Sequence, residues 1–374
     1  MRKSEAGVAL VIRIQSASSF INTGTYLPYP IRMNQAPTLS SVQQATQNIL
    51  DCADDFLIMK QSVDTLYNVF SRITGVSPAQ IGTDKDIMLP SGKAISPSAA
   101  AHCLLEMKRT AVFLRGIHQA IQQKLNNKTE EPVRILYAGT GPYGTLVIPL
   151  LHRFTPQQIQ VDLLDINPAS LNALQKLIDE LQLNDYIGSA CCEDATTFTL
   201  SRNYDIAISE TMLACLKNEP QVAVMQNIIP QLQPEAIFIP EEICIDAALT
   251  NPKMEQERFL YYEDEPPPFR RIGLGNVFKV NKQNLDTDRM QKTIEIPDEK
   301  DFPVLKLFTT VKVFGSEQLS ENDSSITLPV NFYDLRKQPA LHIAFWYVQG
   351  EKPHIENRVV CKPALYQTEI MNSL

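Results

Sequence analysis

The chain has 374 residues, 44% of them hydrophobic and 20% charged, and carries a formal net charge of −8. That length suits two or three packed units with real cores, and the composition excludes broad disorder. An acidic balance without any Lys/Arg-rich block argues against a nucleic-acid partner, and no apolar run approaches the ~20 residues that cross a bilayer, so no membrane partner is expected.

In chain order, residues 1–38 are rich in Ser, Thr, Asn and Pro and read as an irregular arm. Its basic start and short apolar stretch are broken by Arg13 with no clear cleavage site, so no targeting role is expected. A helical region spans 39–131. Ser40 or Ser41 is expected to cap a first helix, with Ile49, Phe56, Leu57 and Met59 beginning a core-facing stripe. A second run, Val63–Ile73, stops at Gly75. Pro90, Gly92 and Pro97 mark residues 83–98 as a loop, and one long helix is expected from Ala99 to Leu125.

From 132 to 240 short apolar strands alternate with helices. The strands are Val133–Ala138, Val161–Ile166, Tyr204–Ser209 and Ala236–Ile239, with a helix carrying Leu146, Ile148 and Leu150 and another opening at Asn167-Pro168. That alternation predicts an α/β, Rossmann-like doubly wound sheet. Over 241–374 short β runs dominate: Ile243–Ala248, Val277–Val280, Thr293–Ile296, Leu305–Val313, Ser325–Phe332 and Leu341–Val348. Turn clusters such as Glu265–Pro268 separate them, so a mostly β C-terminal domain is expected.

The stretch Tyr137-Ala-Gly139-Thr140-Gly141-Pro-Tyr-Gly144 follows a strand and opens a helix. Glycines there let the backbone turn sharply and approach a ligand without Cβ collisions. Asp165 closes the next strand, 24 residues after Gly141, where a carboxylate can accept both ribose hydroxyls of an adenosine. Strand alternation turns Asp162 to the opposite face. Asp194 stands where such folds meet the adenine ring. These features fit a dinucleotide or S-adenosylmethionine equally.

The strand Tyr204–Ser209 is followed by Glu210-Thr-Met-Leu-Ala-Cys-Leu-Lys-Asn-Glu219, two carboxylates flanking a loop at the sheet's ligand-binding edge. A guanidinium is a planar fork of donors that matches carboxylates bidentately, and two carboxylates would offset and localise its charge. Ser209-Glu210-x-Met212, with a second glutamate nine residues after the first, resembles the double-E loop of protein arginine methyltransferases, which are S-adenosylmethionine-dependent. The segment Glu106-Met-Lys-Arg109-Thr-Ala-Val-Phe113 resembles the family's Arg-Thr segment before its first strand. The resemblance implies that Glu210 and Glu219 clamp the acceptor nitrogen and that Arg109 binds the cofactor's methionine carboxylate. Tyr137, Gly139, Thr140, Gly141, Asp165 and Asp194 would complete the cofactor site, and a homodimer would accord with the family's habit.

The chain departs from that pattern at Tyr137, where an acid is usual. It also lacks the aromatic after Glu210, the glycine after Met212 and a Thr-His-Trp loop around Trp346 and His342. These departures move the expected acceptor from a peptide to a small guanidino or amino metabolite. An O-methyltransferase of a natural product and a non-catalytic cofactor-binding module are the alternatives. Five histidines show no metal spacing, so no metal is expected. Seven scattered cysteines read as free thiols of a reducing cytoplasm.

Overall fold

The computed structural model describes residues 38–361 except 128–130, 261–269, 287, 289, 299 and 338–339. The arm expected over 1–38, apart from Thr38, and the turn cluster Glu265–Pro268 lie outside the described residues. Helix α1, Thr38–Asp51, starts before the expected caps, so Ser40 and Ser41 sit inside its first turn. After a break, Asp55 accepts the Ile58 N–H at 2.9 Å and caps α2, Phe56–Thr74, which ends at left-handed Gly75. The break divides the expected stripe. Ile49 and Met59 are buried, but Phe56 and Leu57 fall in the exposed first turn of α2.

Residues expected as a loop hold a small hairpin, β1 Ile87–Leu89 and β2 Gly92–Ala94, turned at Pro90-Ser91. The expected long helix is two: α3, Pro97–Cys103, and α4, Met107–Asn126. The helical pattern runs on through the interruption, where the Thr110 hydroxyl donates to the Leu104 carbonyl at 2.9 Å.

The parallel sheet follows: β3 Val133–Ala138, β4 Ile159–Leu164, helix α5 Pro168–Glu180, β5 Ile187–Cys191, β6 Ile206–Ser209, helix α6 Gln221–Ile228 and β7 Ile237–Ile239. Its spatial order is β5-β4-β3-β6-β7 with every pair parallel. In chain order that is 3-2-1-4-5, a doubly wound arrangement whose winding reverses between β3 and β6. The central strands β3, β4 and β6 are almost wholly buried, which is why they read as continuous apolar runs. The helix expected after the glycine loop is instead a series of turns and a 3₁₀ segment, Ile148–Arg153; Pro149, within it, has no N–H to give an α-helix. Strand β5 was not expected. Its Gly188 lies where a Cβ would stand 2.6 Å from Asp162 Oδ1. Asp162 accepts the Ser189 and Tyr204 hydroxyls, each at 2.8 Å, well apart from the hydrogen bonds of Asp165.

Antiparallel structure follows. Strands β8 Glu242–Thr250, β9 Ile272–Asn281, β11 Val304–Phe314, β12 Glu317–Leu319 and β13 Val330–Asp334 form one sheet; helix α7, Pro252–Leu260, lies between β8 and β9 in sequence. Strands β10 Gln291–Glu295, β14 Ala340–Val348 and β15 His354–Cys361 form another. The expected run Ser325–Phe332 divides into a 3₁₀ turn, Ser325–Thr327, and β13. The described helical, parallel and antiparallel parts belong to one unit. Gly116 of α4 lies so close to β11 that an added Cβ would stand 2.7 Å from Val313 Cγ1.

Candidate functional site

A doubly wound sheet leaves a crevice at the carboxyl ends of its strands, where the winding reverses. Gly139 follows β3, Asp165 follows β4 and Glu210 follows β6, so the reversal brings three separate sequence signals to one edge. They line a cavity of about 430 Å³ together with Arg109, Asp194 and Glu219, a size within the range of small-molecule sites.

The glycine loop is held from outside. Tyr143 is fully buried against Phe70, and its hydroxyl donates to the Val76 carbonyl at 2.5 Å, tying the loop to the end of α2. Gly139 has φ +78°, and a Cβ there would stand 2.6 Å from Thr211 Cγ2, so the loop after β3 and the loop after β6 pack together only because this residue is glycine. Asp165 clasps the loop: one oxygen accepts the Gly141 N–H at 2.8 Å and the Thr140 hydroxyl at 3.3 Å, the other the Asn167 N–H at 2.8 Å. Burial pushes the Asp165 carboxyl above its ordinary value, opposed by those donors. The oxygen that accepts only the Asn167 N–H keeps lone-pair capacity. Tyr137, in the usual place of an acid, is buried in β3 and borders the cavity; burial also raises its phenol. Asp194, after β5, accepts the Thr196 N–H at 2.8 Å and reaches the cavity beside exposed Glu193.

At the other end Arg109, buried in the first turn of α4, donates through Nη2 to Glu210 Oε2. Its Nη1 lies 3.7 Å from Glu106 Oε1. The remaining Glu210 oxygen, Oε1, is buried and has no hydrogen-bond partner among the described residues. Glu219 is 6% exposed, and its carboxylate has no partner among the described residues. Burial pushes Glu219 up to about 7, with Arg109 and Lys93 pulling the other way and Asp86 adding to the rise. The structure therefore leaves two carboxylates facing one cavity with acceptor capacity unused.

The loop between them is strained and anchored. Cys215, Leu216 and Asn218 all have left-handed backbones, with φ of 58°, 55° and 66°. Thr309 of β11 accepts the Cys215 N–H at 2.9 Å, Tyr347 of β14 donates to the Leu216 carbonyl at 2.9 Å, and the Pro353 carbonyl accepts the Asn218 N–H at 2.7 Å. Buried Gln221 staples the two ends, accepting the Thr211 N–H at 2.8 Å and donating to the Ser209 carbonyl at 3.1 Å.

Sequence reasoning missed three residues here. Gln221 carries no pattern of its own. Glu106 was quoted without a role; it accepts the Ser325 N–H at 3.0 Å and hydroxyl at 2.5 Å, closing one wall. Lys93 belongs to the hairpin, whose three-residue strands are too short for a period to show. Among the described residues no group of His, Cys, Asp and Glu could hold a metal ion, and no helix is long and apolar enough to cross a membrane.

No family model and no curated protein matches the sequence. Among solved structures it is similar to the PRMT1 enzyme–prozyme heterotetrameric complex of Trypanosoma brucei with AdoHcy (13% identity, 70% of this chain and 92% of that one, TM-score 0.47). It is also similar to PRMT6 (10%, 66% and 95%, 0.43) and to Protein Arginine Methyltransferase 10 of Arabidopsis thaliana (12%, 63% and 84%, 0.42). The functional reading below rests on the site's own residues.

Proposed function

We propose that this chain is an S-adenosylmethionine-dependent methyltransferase acting on a guanidino or amino nitrogen of a small molecule. One observation carries the acceptor: buried Glu210 Oε1 and the carboxylate of Glu219, a residue only 6% exposed, border the same cavity, and neither has a hydrogen-bond partner among the described residues. Glu210 is paired with Arg109 through one oxygen only, and buried acceptor capacity left unused is costly, so the site calls for a cation with several N–H groups. The lining agrees in charge, with six acids (Glu106, Asp165, Glu193, Asp194, Glu210, Glu219) against Lys93 and Arg109.

The residues present fit the cofactor. Asp165 offers lone pairs at the strand end where a ribose would sit, the glycine loop brings backbone close, and Asp194 lies further along the same edge. Arg109 reaches the cavity from α4 and would hold a carboxylate while it orients Glu210. When bound, S-adenosylmethionine supplies an electrophilic sulfonium methyl. The chain's own contribution is positioning and charge placement: the two glutamates hold the acceptor cation and point one nitrogen at the reacting carbon. The small-molecule reading is supported by the hairpin, whose Leu89, Lys93 and Ala94 wall the cavity beside Glu219.

Calorimetry with S-adenosylmethionine and with NAD tests the cofactor; NAD binding alone would overturn the reading. A labelled-methyl assay over guanidines, amines and peptides then ranks acceptors, and cofactor binding without any turnover would point to a non-catalytic module. One observation favours an O-methyltransferase as the second reading. A carboxyl pushed to about 7 is poised as a general base for a hydroxyl, which would be Glu219. Turnover of hydroxyl acceptors alone, with Glu219→Gln inactive, would select it.

A further inference from the structure

The hairpin brings a cation to the acceptor end of the cavity, and the nitrogen-transfer chemistry proposed above does not use it. Lys93 borders the cavity, and its backbone N–H donates to the Asn218 carbonyl at 2.8 Å, one residue before Glu219. The neighbouring Gly92 is pressed still closer: an added Cβ would lie 3.0 Å from Asn218 O, Glu219 C and Pro220 N. Backbone contact of this kind fixes where the Lys93 side chain starts relative to the glutamate. Its ammonium pairs with Asp86 at 2.8 Å, and Asp86 is itself held by the Ser96 N–H at 2.9 Å on its other oxygen. An ammonium has three donors, and Asp86 takes one. The side chain keeps 30% exposure and its ammonium has no second partner among the described residues, so donors remain for a ligand.

We infer that Lys93 is a specificity-determining residue that binds an acidic group of the acceptor, so that the substrate is a small zwitterion, a guanidino or amino acid with a free carboxylate. This rests on the acceptor reading proposed above. The two unsatisfied glutamates take the cationic head, and Lys93 takes the anionic end. Arg109, the other lining cation, pairs with Glu210 and Glu106 and is assigned above to the cofactor's carboxylate, which leaves Lys93 for an anion beside Glu219. Asp86 holds the lysine in place and keeps it from repelling the acceptor's cationic head.

The wild-type protein decides the matter with two matched pairs: arginine against agmatine, and 3-guanidinopropionate against ethylguanidine. The carboxylated member of each pair is expected to have the higher kcat/KM by roughly tenfold or more, the scale of one charge-assisted contact. Lys93→Met is expected to remove that preference by raising KM for the carboxylated member of each pair about tenfold or more while changing its decarboxylated partner far less, and Lys93→Arg to retain it. Decarboxylated acceptors working as well as their parents would overturn the inference while leaving the methyltransferase reading intact. Equal losses on both members in Lys93→Met would also overturn it, reducing Lys93 to support of the Glu219 loop. Turnover of none of the four, with S-adenosylmethionine bound, would overturn the acceptor reading and the inference with it.

Discussion

Gly92 and Glu219 are in backbone contact across 127 residues of sequence: at φ +136°, a Cβ on Gly92 would meet three backbone atoms of the Asn218–Pro220 stretch at 3.0 Å. Gly92→Ala must therefore both strain its own backbone and push the Glu219 peptide away. The expected outcome is a loss of methyl transfer of about tenfold or more, with S-adenosylhomocysteine affinity within a few-fold of wild type. Steady-state kinetics beside calorimetry separates the two; equal losses in both would show that the hairpin serves the whole cavity.

Glu219 carries a pH signature. Its folded value, about 7, lies above the ordinary carboxylate value because burial disfavours the charged form. Between those values the folded state binds more protons than the unfolded one, so stability falls as pH rises through that window and levels off above about 7. Glu219→Gln should abolish this slope, making the ligand-free variant more stable than wild type at pH 8, on the order of 3 kcal/mol at most. In catalysis the ionised form is needed, so kcat/KM should rise as pH passes about 7. Because a bound cation lowers the value, kcat should rise at lower pH than kcat/KM. Thermal denaturation and pH–rate profiles check both; a flat stability difference between pH 5 and 8 would contradict the burial of this acid.

Arg109 and Glu210 are expected to behave as one unit. Removing the guanidinium in Arg109→Ala leaves Glu210 charged, buried and unpaired, which costs about 3–5 kcal/mol. Adding Glu210→Gln should recover part of that loss, giving a strongly non-additive double-mutant cycle in denaturant melts. Glu210→Gln alone should cut turnover by about 10²–10³. Additive effects would mean that the pair does not hold in solution.

Asp165→Asn replaces one acceptor oxygen by a donor, facing either the Gly141 N–H or the Asn167 N–H. Both a loop contact and a ribose contact suffer, so cofactor affinity should fall by about 10–100-fold. Acceptor selectivity should stay unchanged. Calorimetry with S-adenosylhomocysteine reads the first and competition between two acceptors the second.

The glycine-loop end of the cavity was legible because its signals are local. A strand, a glycine turn and an acid at the end of the next strand follow one another at fixed spacing, and the sheet's winding does the rest. The acid pair was legible for the same reason, since nine residues of one loop separate Glu210 from Glu219. What escaped was long-range. Arg109 meets Glu210 across 101 residues, and nothing local announces that the arginine pairs with this acid. The hairpin hid in a Pro- and Gly-bearing stretch because three residues per strand show no period. The split between α3 and α4 hid because helical spacing continues through it. Conversely, Phe56 and Leu57 looked like core and are exposed, because a turn ahead of Asp55 resets the helical phase.

The anchors of the strained loop come from residues 93, 309, 347 and 353, whereas Gly139, Asp165 and Asp194 are all in place before residue 200. On a ribosome the nucleotide end of the cavity is thus spelled out early. The acid pair acquires its geometry only after about 150 further residues have emerged and paired into sheets. Loss of the last strands would therefore leave the glycine loop and Asp165 in the sequence while removing the Tyr347 and Pro353 anchors that shape the Glu210–Glu219 loop.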